Sequence, residues 1–67
     1  MIEVWVNGDR HSVPSELTMP KFLAHLGTNP RLVAVEYNGE ILHRHLWENT
    51  IIQGGDRLEI VTIVGGG

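Results

Sequence analysis

The most unusual candidates for chemistry in this chain stand at its end. Gly65, Gly66 and Gly67 follow an apolar, mostly β-branched run, Ile60-Val61-Thr62-Ile63-Val64. The run predicts a buried strand, but glycines have no side chain to pack. Because glycine loses the most freedom on ordering, we expect a flexible tail that spans about 10 Å at most. Its one distinctive group is the α-carboxylate of Gly67, which we interpret as the functional group.

Histidine is the other candidate for chemistry, as the chain has four. His43 and His45 stand two apart, so on a strand they would share a face and could grip one ion between them. A metal site needs three or four ligands, and no third is obvious nearby. We therefore interpret both as exposed polar side chains and predict no metal site. With no cysteine in the chain, disulfides and a cysteine nucleophile are excluded.

The size and charge of the chain restrict what it can do. A single domain of 67 residues buries about 60% of the surface its unfolded chain exposes and leaves no room for a deep cleft. This argues against a self-contained enzyme and for a module that acts through a partner. The formal net charge of −3 argues against nucleic acid. Neither a signal peptide nor a membrane span is predicted, so we expect a cytoplasmic protein.

Turn and cap signals divide the chain into elements. Residues 2–6 form a first strand, and Asn7-Gly8 is a hairpin signal that returns a second strand through Arg10 to Val13. A short helix follows, with Thr18 as N-cap, Pro20 in the first turn and Gly27 as C-cap. Its apolar stripe is Met19, Phe22, Leu23 and Leu26.

The second half of the chain is predicted to supply the rest of a sheet. Residues 32–37 form a third strand that closes at Asn38-Gly39, and a brief fourth strand begins at Ile41-Leu42 and could include His43 and Arg44. The tight turn Gly54-Gly55-Asp56 leads into a last strand over residues 57–64. If the last strand pairs parallel beside the first, the result is an α+β fold of the β-grasp (ubiquitin-like) type, a mixed four- to five-stranded sheet with one main helix across one face. We assign residues 1–64 to this domain and 65–67 to the tail.

Strand periodicity then assigns the two faces of the sheet. Leu58 and Ile60 point towards the helix, together with the apolar residues of the first strand, Ile2, Val4 and Val6. Trp5, Val61 and Ile63 point to the open face. An exposed apolar patch often marks an interaction site, so we predict a partner-binding patch made of Trp5, Val61, Ile63 and Val64.

A known family shares these features. The stretch Gln53-Gly54-Gly55-Asp56-Arg57-Leu58-Glu59-Ile60-Val61, with the glycine tail, resembles the ThiS family of ubiquitin-like sulfur carriers of thiamine biosynthesis. Asn38-Gly39-Glu40-Ile41, Arg44 and Trp47 are similar to the middle of that family. The resemblance covers essentially the whole chain; Gly65 is an additional glycine before the family's terminal pair.

The resemblance implies a chemistry for the tail. In the family, a partner enzyme adenylates the terminal glycine with ATP, sulfur replaces AMP, and the thiocarboxylate is delivered to thiazole synthase. On this chain the modified residue would be Gly67, with Gly65 and Gly66 threading the partner's active site. No cofactor is expected on the chain itself: it lacks a phosphate-binding loop, so ATP is used by the adenylating enzyme, and a sulfur donor is a further partner.

Other functions stay open at the level of sequence. The small subunit of molybdopterin synthase shares such a tail but is usually longer. A ubiquitin-like protein modifier is a poorer match, because Lys21 is the only lysine available for chains. A β-grasp binding module whose glycines are a linker remnant is the simplest alternative.

Overall fold

The first hairpin begins the sheet. In the computed structural model, which describes residues 1–63, strand β1 (Ile2–Val6) pairs antiparallel with β2 (Asp9–Val13). Asn7 and Gly8 adopt φ angles of 51° and 88°, the positive values that a type I′ turn requires. The hairpin prediction is confirmed, with β2 beginning one residue earlier than expected.

Helix α1 (Met19–His25) crosses one face of the sheet. Met19, Phe22 and Leu23 are fully buried, which confirms the predicted stripe. The helix ends in a Schellman motif, in which Gly27, at a φ of 78°, donates to the Ala24 carbonyl (2.9 Å) and Thr28 donates to that of Leu23 (3.0 Å). Thr18 is the N-cap by position, but its side chain makes no capping hydrogen bond.

The remaining strands complete a mixed sheet. They are β3 (Val33–Tyr37), β4 (Glu40–Ile41) and β5 (Arg57–Thr62), and the spatial order is β2-β1-β5-β3-β4. Strand β5 is parallel to β1 and antiparallel to β3. This is the predicted β-grasp arrangement, with the two terminal strands side by side in the middle of the sheet.

Two predicted strand boundaries are wrong. The fourth strand stops at Ile41 and does not reach His43 or Arg44, because a 3-10 helix over Arg44–Asn49 takes its place. The last strand ends at Thr62, not at Val64. Val64 and the tail Gly65 to Gly67 lie outside the described residues, as does the predicted boundary between domain and tail.

The core lies between α1 and the inner face of the sheet. Val4 and Val6 from β1, Leu58 from β5 and the α1 stripe are buried there, and Trp47 closes one end. Val61 and Ile63 are exposed, as their assignment to the open face predicts, and Thr62 is exposed as well. The separate prediction of a buried strand over the whole terminal run is therefore wrong. The physical reason is coverage: one helix of about 10 Å, at 1.5 Å per residue, shields one face and only part of a six-residue strand.

No helix within residues 1–63 is long and apolar enough to cross a bilayer.

Candidate functional site

The tail follows β5, so the contacts that hold β5 define the candidate site. Strand β1 pairs with β5 only at Trp5–Arg57 and Val6–Leu58. Beyond this point the side chain of Asn7 makes the hydrogen bonds to β5. Its Oδ1 accepts from the Ile60 N–H (2.7 Å) and its Nδ2 donates to the Ile60 carbonyl (3.1 Å). The carboxamide thus replaces one peptide group of a neighbouring strand and extends the ladder by two residues.

On its other side β5 is held along its full length. The β3–β5 ladder runs from Tyr37–Leu58 to Val33–Thr62, and the Ile63 N–H donates to the Leu32 carbonyl (2.6 Å). The chain is therefore fixed to the sheet until four residues before Gly67. A rigid base of this kind limits the volume that a following segment can sample.

Arg44 fixes the segment against which Ile63 is paired. Its guanidinium donates to the carbonyls of Pro30 (2.7 Å), Arg31 (3.3 Å) and Val33 (2.9 Å), and it lies 4.7 Å from the centre of the Trp47 ring. Because a guanidinium has five donors in a planar fork, one side chain can bind three carbonyls and still stack. Arg44 thereby links the 3-10 helix to the start of β3.

Trp47 has a structural role. Its ring is buried, and Nε1–H donates to the Leu42 carbonyl at 3.0 Å, which satisfies its one polar atom. It packs in the core and offers no free face for a ligand.

The turn before β5 is organised by a buried carboxylate. Asp56 is the one buried charged residue in the described part of the chain, and it accepts from the Gln53 N–H (2.7 Å), Asn38 Nδ2 (3.2 Å) and the Tyr37 hydroxyl. Gly55, at a φ of 88°, provides the backbone geometry that a turn of this shape requires. Asp56 thereby joins the turn before β5 to the turn after β3, which contains Asn38.

The ionisation of the Tyr37 hydroxyl at alkaline pH depends on its contact with Asp56. Burial, the hydrogen bond to Asp56 and the charge of that carboxylate raise the pKa of Tyr37 above its ordinary value. The unfolded chain ionises Tyr37 near pH 10 while the folded one retains the proton, so the stabilisation is complete below about pH 10 and is lost as the pH rises towards the folded pKa.

We predict that phenolate absorbance of the folded protein will appear well above pH 10. Tyr37 is the only tyrosine, so a spectrophotometric titration reads it alone. The same titration in urea is the control and should give an ordinary midpoint of about 10. Equal midpoints in the two titrations would contradict the hydrogen bond.

The open face carries the residues of the predicted partner-binding patch, but not in one place. Val61 and Ile63 are 58% and 51% exposed. Trp5 is half-buried and lies beside Arg57, whose guanidinium is 5.7 Å from the ring centre. Since Arg57 is four residues before Val61, about 13 Å along the strand, Trp5 is not next to the end of β5.

The histidines do not assemble a metal site. His43 and His45 stack with ring centres 5.9 Å apart, on either side of Arg44 at the start of the 3-10 helix and not on a strand. Residues 1–63 contain no group of three or more His, Cys, Asp and Glu that could hold an ion.

Three contributors were absent from the sequence-based site. The sequence marks Asn7 as a turn residue, and nothing local signals its bonds to Ile60, 53 residues away. Arg44 has no local signal of its own and stands out only through the family resemblance. Ile41, 71% exposed beside Glu36 of β3, is a lone apolar residue in a two-residue strand, which gives no periodicity to detect.

The fold and the position of the tail define a class of protein. A central β5 parallel to β1, crossed by one helix, is the ubiquitin-like β-grasp, and here it holds the segment before a glycine terminus. The model of the ThiS family matches residues 4–67. The chain belongs to this family, the sulfur carriers of thiamine biosynthesis.

Relatives and solved structures agree with this family. The crystal structure of the thiamine biosynthesis protein ThiS from Geobacter metallireducens superposes with a TM-score of 0.84 at 32% identity, covering 98% of this chain and all of that one. The uncharacterized protein ycf40 of Porphyra purpurea is 35% identical over 66 residues, 98% of this chain and 93% of that protein.

A third relative is much longer than this chain. The thiazole synthase of Paramagnetospirillum magneticum is 37% identical over 62 residues, which are 92% of this chain but only 19% of that protein. The thiazole synthase of Magnetococcus marinus matches in the same way, over 20% of its length. In both, a segment similar to this chain is part of a larger polypeptide.

Proposed function

We propose that the chain carries sulfur on the α-carboxyl group of Gly67 for the thiazole ring of thiamine. In the first step, a carboxylate oxygen attacks the α-phosphorus of ATP in the active site of an adenylating enzyme, and pyrophosphate leaves. In the second step, hydrosulfide attacks the carbonyl carbon and AMP leaves, which gives the thiocarboxylate and releases a proton to solvent. The thiocarboxylate is then the sulfur donor to thiazole synthase.

Chemical considerations favour two steps over one. A carboxylate is a poor acyl donor, and conversion to a mixed anhydride with AMP provides a good leaving group. Covalent attachment keeps the sulfur from diffusing away as sulfide. In this scheme the chain is a cosubstrate and supplies no catalytic residue; ATP is bound by the partner.

The observation that carries the proposal is the family match, because it extends to residue 67 and so includes the glycine terminus. The structure supports it through the base of the tail, where β3, Asn7 and Arg44 fix β5. Glycines suit the rest: Gly65 and Gly66 have no side chain to clash in a narrow channel and can adopt positive φ.

The partners follow from the same scheme. The adenylating enzyme, the sulfur donor and thiazole synthase must each reach Gly67, and we expect them to dock on the open face beside the end of β5, at Val61 and Ile63, with Trp5 at its periphery. Val64, which belongs to the predicted patch, lies outside the described residues. Two proteins named thiazole synthase contain a segment like this chain. In those two proteins the segment is covalently joined to the rest of the polypeptide. This arrangement is consistent with binding between this chain and a separate thiazole synthase.

Intact-mass spectrometry tests the proposal. We expect that incubation with the cognate adenylating enzyme, ATP and inorganic sulfide replaces one oxygen of the chain by sulfur. Omission of ATP is the control, because without adenylation AMP cannot serve as leaving group. An unchanged mass, with an enzyme shown to be active by ATP–pyrophosphate exchange, would rule the proposal out.

A further inference from the structure

An apolar depression lies on the open face between β3, β4 and β5, away from Trp5. A cavity of about 230 Å³ lies there. We call it the β3–β5 surface; it is lined by Ala34, Val35, Glu36, Ile41, Glu59 and Val61. Ile41 and Val61 are largely exposed on its two sides. No element among residues 1–63 covers this part of the sheet, so the depression is open to a partner.

Two carboxylates face each other within this surface. Glu36 and Glu59 are directly opposite in the β3–β5 ladder, an arrangement in which like charges repel. In the described part of the chain the single ion pair joins Arg10 to Glu3. Arg57 lies on the same face of β5, but it stacks on Trp5. The repulsion is thus left without a cation among residues 1–63.

The β3–β5 surface therefore combines an apolar depression with negative charge that no cation of the described residues compensates. Nucleic acid and anionic lipid are repelled by such a charge, and a second copy of this chain, with a net charge of −3, would present no excess of cations. A protein that offers a cationic side chain among apolar ones is complementary. Arginine suits both parts, since its stem packs on apolar groups and its planar fork can bind two carboxylates.

We propose that the β3–β5 surface docks the adenylating enzyme through one arginine, whose guanidinium lies between the carboxylates of Glu36 and Glu59. An apolar side chain of the enzyme packs against Ile41 and Val61 in the depression. The identity of this partner rests on the proposed function; the chemistry of the partner's side chains rests on the surface itself. An enzyme bound at this surface contacts β5, the strand that leads into the glycine tail.

The double variant Glu36→Gln, Glu59→Gln tests the proposal because it removes both charges and keeps the shape. We expect its Kd for the adenylating enzyme to rise about tenfold or more at low salt, mainly through slower association, and to become less dependent on salt. Glu48→Gln, in the 3-10 helix that contacts α1, is the matched control for one charge and should bind as wild type.

Folding is checked separately. Urea unfolding of the double variant should occur at the wild-type midpoint or above it, because a like-charge contact is relieved. Sulfur uptake at saturating enzyme should persist in the variant, since the tail is intact. If wild type takes up no sulfur but still binds in this charge-dependent way, the proposed function fails and the docking surface stands.

Three results would overturn the docking proposal. One is wild-type affinity of a folded double variant. Another is an equal loss in Glu48→Gln, which would indicate net charge rather than this surface. The third is a wild-type dimer in sedimentation that Ile41→Asp dissociates, because the surface would then belong to a second copy.

Discussion

Deletion of Gly67 is expected to abolish sulfur uptake without changing the stability of the domain. The strand that precedes the tail ends at Thr62, and its last described contact is the hydrogen bond from Ile63 to Leu32, so the truncation leaves every described contact of the sheet in place. The new carboxylate, on Gly66, is withdrawn by one residue, about 3.5 Å. Misplacement of a reacting group by about 1 Å can cost about a hundredfold in rate, and this shift is several times larger.

The variant is informative because its sequence still ends in two glycines, Gly65-Gly66. If composition alone mattered, uptake would continue; if the distance from the end of β5 matters, it stops. Intact mass after incubation with enzyme, ATP and sulfide is the measurement. A chain that lacks Met1, which is exposed at the opposite terminus, is the control and should be modified normally. Uptake by the deleted chain at the wild-type rate would show that the reacting position is not set by the sheet.

The fold could be predicted where local chemistry is decisive. Asn7-Gly8 and Asn38-Gly39 both adopt the positive φ angles expected of them, and Gly27 ends α1 as a cap. The Met19, Phe22 and Leu23 stripe is buried as its spacing indicated. Each of these signals lies within a few residues of the feature it determines, so one sequence is enough to find it.

The errors have a different origin. Whether His43 and Arg44 continue β4 depends on the carbonyls of a distant segment, to which the Arg44 guanidinium binds, and on the ring of Trp47. The exposure of Thr62, on the helix-facing side of β5, depends on how far one short helix reaches. Neither is encoded in periodicity, because both are decided by which elements are neighbours after folding.

For the candidate site, the sequence leads to a prediction of its chemistry, which stays a prediction, but not to its geometry. Three glycines after a strand indicate the Gly67 carboxylate at once. The separation of Trp5 from Val61 depends on the register of β1 against β5, in which Trp5 lies beside Arg57. A parallel register between strands about fifty residues apart has no turn to fix it. The sequence therefore predicts which face of the sheet carries the patch residues, but not which of them are neighbours on that face.

The second large effect is expected at the turn before β5: Asp56→Ala should lower the free energy of unfolding by about 3 kcal/mol. The change leaves three donors, from Gln53, Asn38 and Tyr37, without their acceptor. A buried donor that loses its partner costs about 1–3 kcal/mol, and part is recovered where water enters. A domain of this size has a total stability of about 3–10 kcal/mol, so much of the population would be unfolded at warm temperatures.

Chemical denaturation followed by tryptophan fluorescence measures this loss, and Asp9→Ala is the control. Asp9 is an exposed aspartate of β2, and its replacement should change stability by about 0.5 kcal/mol or less.

Tyr37→Phe removes one of the three donors and should cost about 1 kcal/mol. In the double variant the two losses should not add, because Tyr37 has already lost its acceptor when Asp56 is absent. Additive losses would mean that the two side chains act independently and that the hydrogen bond between them contributes nothing to stability.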